Sequence, residues 1–282
     1  MGEALSKMRR EETERSMRAH VEAALAFAGP YEMRQHKMSR LLSGLVDTLF
    51  AIWRGRSSPL PQSSKHGRTV MFTNGENSNR LLVVSPPLGG NEKSANVRPL
   101  IVFALSRGWN VAVHARERDV LYAEISLREC IERARSLSPE AINVCVIGMS
   151  IGAYEACKAA LPYPLVSISN GYDLSVATSH SSRMARWYLA RRVSRQKPVN
   201  GELSCVQELV NSQSPTLLIN SRNDPLVPDQ CLEIGDSVAR RNSFVASVTA
   251  ARGGHLGFIH RKGRRWAYDV AMEFLESVVR AR

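Results

Sequence analysis

A serine between two glycines is the first candidate for chemistry in this sequence. The pentapeptide Gly-Met-Ser-Ile-Gly at 148–152 follows a buried-strand pattern and precedes a helix pattern over 151–161. A tight turn between a strand and a helix lifts the serine hydroxyl above the sheet, beside a helix N-terminus that favours developing negative charge. The pattern predicts that Ser150 is a nucleophile. The alternative is a glycine-rich turn with a capping serine.

A nucleophilic serine needs a base, and the base needs an acid that orients it. In this arrangement the acid and then the histidine follow the serine along the chain. Asp224 comes directly after a strand pattern over 216–220, and His255 lies among glycines after a strand pattern over 244–249. We therefore predict Asp224 as the acid and His255 as the base. The nearest competing acid, Asp229, is expected to be a helix N-cap.

Two backbone N–H groups are expected to bind the oxyanion that forms when the serine attacks. One belongs to Ile151, directly after the serine, and the other to the loop that follows the strand pattern over 81–85. The first two residues of that loop are prolines, which have no N–H to donate. Leu88 is therefore the predicted second donor, and Gly89 is the alternative.

Short apolar runs alternate with helix patterns from residue 69 to the end of the chain. The predicted strands are 69–73, 81–85, 111–114, 142–147, 164–169, 216–220 and 244–249. The predicted helices are 95–106, 124–137, 151–161, 230–241 and 264–279. Such alternation predicts an α/β fold with a mostly parallel sheet covered by helices on both faces. The interruption at 174–212 predicts an inserted helical cap.

The N-terminal part lacks this alternation and has a charged, helical pattern. We therefore predict a helical extension over 1–60 before a domain over 61–282. Its apolar residues follow one face of a helix over 41–53, and a Ser/Pro-rich stretch over 57–68 is interpreted as a linker. The 13 residues of that apolar face are too few to span a membrane, which takes about 20. The helix is interpreted either as a lid or membrane-surface element or as a helix packed on the domain.

The composition indicates a packed protein with an excess of positive charge. Of 282 residues, 44% are hydrophobic and 23% are charged, and the formal net charge is +12. Five cysteines without a C-x-x-C spacing predict neither a disulfide framework nor a zinc site, and with the charged first twenty residues they favour a cytoplasmic protein. No nucleic-acid module is recognisable, so no nucleic-acid partner is expected. The oligomeric state stays open.

Much of the positive charge lies in two segments that contain no acid. Residues 174–201 carry six Lys and Arg side chains, and residues 251–268 carry five. One segment is the predicted cap and the other contains His255, so we expect this charge near the active-site mouth, with Arg191, Arg192 and Trp187 as candidate substrate-binding residues. An anionic substrate or peripheral membrane contact would fit this charge. A solvated basic face is the alternative.

From about residue 69 to 282, the chain resembles the α/β-hydrolase superfamily, and more narrowly the abhydrolase-domain branch of lipase- and esterase-like proteins. The matching segments are GMSIG at 148–152, PTLLINSRNDP at 215–225, GGHLGF at 253–258 and RGWNVAVHAR at 107–116. Two departures are Glu117, where the branch usually has glycine, and Pro86-Pro87, where it usually has His-Gly. The resemblance implies hydrolysis of an ester or thioester.

These observations predict a serine hydrolase that cleaves a carboxylic ester through an acyl-enzyme on Ser150, with no metal or organic cofactor. Two alternatives stay open. One is an acyltransferase or thioesterase that acts on a carrier-linked acyl chain. The other is a non-catalytic protein that uses the hydrolase fold to bind a ligand.

Overall fold

The computed structural model describes residues 2–29, 40–55, 58–74, 78–115, 124–180, 203–259 and 265–282. The helices are α1 (Gly2–Ala28), α2 (Arg40–Gly55), α3 (Arg98–Ser106), α4 (Glu124–Leu137), α5 (Ile151–Lys158), α6 (Leu174–His180), α7 (Val206–Val210), α8 (Asp229–Arg241) and α9 (Trp266–Arg280). The strands are β1 (Ser64–His66), β2 (Thr69–Phe72), β3 (Arg80–Ser85), β4 (Asn110–His114), β5 (Asn143–Met149), β6 (Leu165–Ile168), β7 (Thr216–Ser221) and β8 (Val245–Ala250).

The sheet confirms the predicted α/β architecture. Its eight strands lie in the order β1-β2-β4-β3-β5-β6-β7-β8, with parallel pairing from β4 to β8 and antiparallel pairing of β1 with β2 and of β2 with β4. Every strand and helix predicted after residue 69 is present, with its ends shifted by three residues at most. The carboxyl ends of β5, β7 and β8 therefore meet at one edge of the sheet, where ligands bind in open α/β folds.

The interpretation of 57–68 as a linker was wrong for residues 64–66, which form the edge strand β1. They pair with 69–71 across a turn in which Gly67 has a φ of +60°. The polar composition of this segment hid the strand, because an exposed edge strand needs no buried side chains.

Two apolar layers cover the sheet, one on each face. Along β3, Leu82 and Val84 point into the layer formed with α1, α3 and α9, whereas Leu81 and Val83 point into the layer formed with α4, α5, α7 and α8. All five cysteines are buried and free, and burial raises the pKa of Cys145 to about 12. The Cys145 thiol therefore stays protonated and unreactive.

The two N-terminal helices pack against the rest of the described chain. Helix α1 buries Met17 and Ala24, and its His20 Nδ1 lies 2.8 Å from Ser277 Oγ on α9. Helix α2 also packs on the domain, but with its small and polar side. Among its described side chains, the buried residues are Ser43, Gly44, Asp47, Ala51 and Gly55.

The apolar side of α2 faces outward. Leu49 is 55% exposed and Trp53 is 69% exposed, and the Trp53 ring stacks on Phe50. Among the described residues, no helix has both the length and the hydrophobicity that crossing a bilayer would take. Peripheral membrane contact through this side of α2 stays a prediction.

Gly44 tests how tightly α2 packs. A Cβ at this position would overlap the carbonyl oxygen of Asn223, in the loop after β7. In a free helix, Gly→Ala is stabilising by about 1 kcal/mol. We expect Gly44→Ala to lower the free energy of unfolding instead, by about 1–3 kcal/mol, because the side chain overpacks the contact.

Urea denaturation of wild type and variant would measure this difference. Leu49→Ala, on the exposed side of the same helix, is the control and should change the free energy of unfolding much less. A Gly44→Ala protein more stable than wild type would contradict the packing of α2 on this loop.

Candidate active site

Ser150 occupies a strained turn between β5 and α5. Its backbone has φ +56° and ψ −121°, a conformation that L-residues rarely adopt outside functional sites. Its N–H donates to the carbonyl oxygen of Ile168 at the end of β6, at 2.8 Å. Gly152 permits the turn, because a Cβ there would overlap the carbonyl oxygens of Ser85 and Pro86. The neighbouring strands therefore hold the serine in this conformation.

The three side chains predicted to form a triad lie in one hydrogen-bonded chain. His255 Nε2 lies 2.9 Å from Ser150 Oγ, and His255 Nδ1 lies 2.9 Å from Asp224 Oδ2. The second carboxylate oxygen of Asp224 lies 3.1 Å from the same nitrogen. In this arrangement the imidazole can accept the hydroxyl proton while the carboxylate fixes its tautomer and stabilises its charged form.

Asp224 is held by its own loop as well as by the histidine. Its side chain is fully buried, and its Oδ1 accepts hydrogen bonds from the backbone N–H groups of Leu226 at 2.8 Å and Val227 at 3.1 Å. The competing acid Asp229 is the first residue of α8, whose N-cap is Pro228 rather than Asp229. Of the two acids that the sequence offered, Asp224 is therefore the one bonded to His255.

The backbone around His255 is fixed by two hydroxyl groups that sequence reasoning missed. The His255 N–H donates to Thr48 Oγ1 at 2.7 Å, and the Leu256 N–H donates to Ser169 Oγ at 3.2 Å. Thr48 lies on α2, 207 residues away in sequence. No local pattern could have identified it, because only the folded chain brings these groups together.

The two predicted oxyanion donors lie on adjacent elements. Ile151 is the first residue of α5, and Leu88 lies in the loop after β3, the strand that pairs with β5. A hydrogen bond from the Gly90 N–H to the Pro87 carbonyl, 2.8 Å long, closes a turn around Leu88. Gly89, the alternative donor, has a φ of +67°. Their role as oxyanion donors stays a prediction.

The basic segments divide between structural residues and residues outside the described part of the chain. Arg191, Arg192 and Trp187 lie outside the described residues, within the predicted cap. Arg252 is paired with Asp47 at 3.2 Å, and Arg265 is buried. These two arginines therefore make internal contacts, and the location of the remaining charge near the mouth stays a prediction.

Arg265 links three separate segments of the chain. Its guanidinium donates to the carbonyl oxygens of Ala51 at the end of α2, at 2.7 Å, and of Ala95 before α3, at 2.9 Å. It also reaches the carbonyl oxygen of Leu256, next to the histidine, at 3.3 Å. Buried carbonyl groups need such donors, and one guanidinium can serve several of them.

The described ends of the predicted cap are helical. Helix α6 begins after Asp173, whose Oδ1 accepts from the backbone N–H groups of Ser175 and Val176, and α7 follows Cys205. An antiparallel bridge between Asp173 and Ser204 joins the described parts of the two ends. The segment between them, 181–202, is not described.

Known proteins resemble this chain over part of its length. No family model matches the chain. The monoacylglycerol lipase ABHD2 of Danio rerio is 42% identical over 55 residues, which are 20% of this chain and 13% of that protein. The chain therefore spans about an eighth of the length of this relative.

Solved structures match a larger part of the chain. An esterase of Pyrococcus furiosus covers 74% of this chain and 86% of its own, with 18% identity and a TM-score of 0.58. An acylaminoacyl peptidase of Pyrococcus horikoshii covers 80% of this chain and 42% of its own, with 18% identity and a TM-score of 0.60. Together with the sheet order and the turn at Ser150, these matches show that the chain has the α/β-hydrolase fold.

Proposed function

We propose that the chain is a serine hydrolase that cleaves carboxylic esters through an acyl-enzyme on Ser150. The hydrogen-bonded chain from Asp224 through His255 to Ser150 is the observation that carries this proposal. Both bonds are within the range in which a base can take a proton from a nucleophile.

In the proposed reaction, Ser150 Oγ attacks the acyl carbonyl and passes its proton to His255 Nε2. The negative charge of the tetrahedral intermediate is bound by the backbone N–H groups of Ile151 and Leu88, where each donor contributes about 3–4 kcal/mol of transition-state stabilisation. Asp224 stabilises the imidazolium, which then protonates the leaving alcohol. Water, deprotonated by His255, attacks the acyl-enzyme, and His255 returns the proton to Ser150 Oγ as the carboxylic acid leaves.

The names of similar proteins support an ester substrate. The curated relative is a monoacylglycerol lipase and one similar structure is an esterase, whereas another is an acylaminoacyl peptidase. All three names describe acyl transfer to water, and two of them describe ester cleavage. We therefore take esters as the first substrate class to test, with lipid esters among them.

Ser150→Ala tests the nucleophile. The variant should lose labelling by a fluorophosphonate probe and lower kcat on a short-chain ester by about four orders of magnitude or more, because the members of a triad act as a unit. Labelling is read by gel fluorescence or intact mass.

Substrates matched in acyl chain separate the remaining activities. A matched thioester that is turned over faster than the oxygen ester would favour the thioesterase alternative. A wild-type protein that neither labels nor hydrolyses would favour the non-catalytic alternative and overturn the proposal.

Asp224→Asn tests the acid. We expect the variant to stay folded and to lower kcat/KM by about three to four orders of magnitude, because an amide next to His255 favours the wrong imidazole tautomer. Asp229→Asn is the matched control at the start of α8 and should leave kcat/KM near the wild-type value. The opposite result, a silent Asp224→Asn and a damaging Asp229→Asn, would assign the acid to Asp229.

Changing Arg191 and Arg192 together to Gln tests the proposal that the basic segment selects an anionic substrate. An exposed arginine–phosphate contact contributes about 1–2 kcal/mol, and salt screens it. The wild type should have a higher kcat/KM for an anionic ester than for a neutral ester of equal chain length, with a larger ratio at low ionic strength. In the double variant, this ratio of kcat/KM values should fall about tenfold. An unchanged ratio of kcat/KM values would assign these arginines to a solvated face.

A further inference from the structure

Helix α2 contacts the loop of His255 through a hydroxyl group. Thr48 Oγ1 accepts a hydrogen bond from the His255 backbone N–H at 2.7 Å and donates one to the carbonyl oxygen of Gly44 at 2.7 Å. The hydroxyl is therefore fixed within its own helix while it holds the histidine backbone. Replacing it with a methyl group would leave the His255 N–H without this acceptor.

A second residue of the same helix joins the loop of the acid to the loop of the histidine. Asp47 is 5% exposed, and its Oδ2 accepts from Asn223 Nδ2 at 2.9 Å. Asn223 precedes the acid, and its Oδ1 accepts from the backbone N–H of Gly254 at 2.9 Å. The other oxygen of Asp47 pairs with Arg252 at 3.2 Å.

These contacts set the distance between two loops that carry reacting groups. Asp224 and His255 lie on separate loops after β7 and β8, and their side chains must meet within about 0.5 Å of the productive geometry. Misplacing a reacting group by about 1 Å can cost about 100-fold in rate. Thr48 binds the backbone of the His255 loop directly, whereas Asp47 binds the side chain of Asn223, which in turn binds the backbone N–H of Gly254.

We infer that Thr48 and Asp47 are positioning residues, through which α2 fixes the His255 loop against the Asp224 loop. This inference rests on the proposed function. Neither residue reaches the reacting atoms, so both act through His255. The N-terminal extension is then part of the catalytic apparatus and not only a cover on the domain.

The experiment compares Thr48→Val, which keeps the shape of the side chain, with Thr48→Ser, which keeps the hydroxyl. In the full-length chain, with a water-soluble short-chain ester, Thr48→Val should lower kcat about tenfold, or about 1.4 kcal/mol in activation free energy, with KM near wild type. Thr48→Ser should restore most of kcat. Leu49→Gln, on the exposed side of the helix, is the control and should leave both constants unchanged.

Proton NMR supplies a readout that does not depend on turnover. The Nδ1–H resonance of His255, assigned as the one lost in His255→Gln, should shift or broaden in Thr48→Val and stay in place in Thr48→Ser and Leu49→Gln. A purely structural role would lower the melting temperature without moving kcat or this resonance. Wild-type kcat and an unmoved resonance in Thr48→Val would overturn the inference.

Two further outcomes are distinguishable. If the wild type neither labels nor hydrolyses, the proposed function fails, and the resonance still shows whether Thr48 positions His255. If Thr48→Val does not fold, Asp47→Asn replaces it, because it keeps an oxygen for Asn223 and removes the charge that faces Arg252. That variant should lower kcat several-fold and move the resonance, and an unchanged kcat and resonance would overturn the inference equally.

Discussion

The close approach of two backbones at the carboxyl ends of β3 and β5 is the constraint on which the site depends. Gly152 lies against the carbonyl oxygens of Ser85 and Pro86, and a Cβ atom at this position would overlap both oxygens. The tight turn puts Ser150 at φ +56°, with its N–H bound to β6. Strain of this kind costs about 1–3 kcal/mol and persists only where the surrounding structure over-determines it. Here the central strands, buried on both faces, provide that support.

The order of the strands then decides how the other two groups reach the serine. In the sheet, β6, β7 and β8 follow β5 in that order. The acid therefore lies after β7, two strands from the serine, and the histidine lies after β8, three strands from it. The loop of His255 must therefore reach back across the strand ends to place its imidazole 2.9 Å from the serine hydroxyl. A loop this far extended exposes backbone groups that need partners. Thr48, Ser169 and Arg265 supply them.

Helix α2 supplies Thr48 because it turns its small and polar side to the domain. A helix lying against polar loops gains more from hydroxyl and carboxylate groups than from leucines, since each buried N–H left without an acceptor costs about 1–3 kcal/mol. Gly44 and Ala51 let its backbone approach closely, and Leu42, Leu49, Phe50 and Trp53 face outward. A partly buried charge elsewhere in the protein is paired in the same way. The Arg107 guanidinium donates to Glu276 at 2.7 Å and to Glu273 at 2.8 Å, and these bonds raise its pKa.

The sequence by itself determined the elements and their order, because strand and helix patterns, turn glycines and the motifs around Ser150, Asp224 and His255 are local. These patterns predicted the parallel sheet and the loops from which the three side chains come. Only the tertiary structure decided what depends on contacts between distant segments: that Asp224 and not Asp229 meets the histidine, that β1 completes the sheet, and which side of α2 is buried. Apolar periodicity identifies a helix, but the surface against which it packs selects the side that faces inward. The packing of α2 against two loops more than 170 residues away has no local signature.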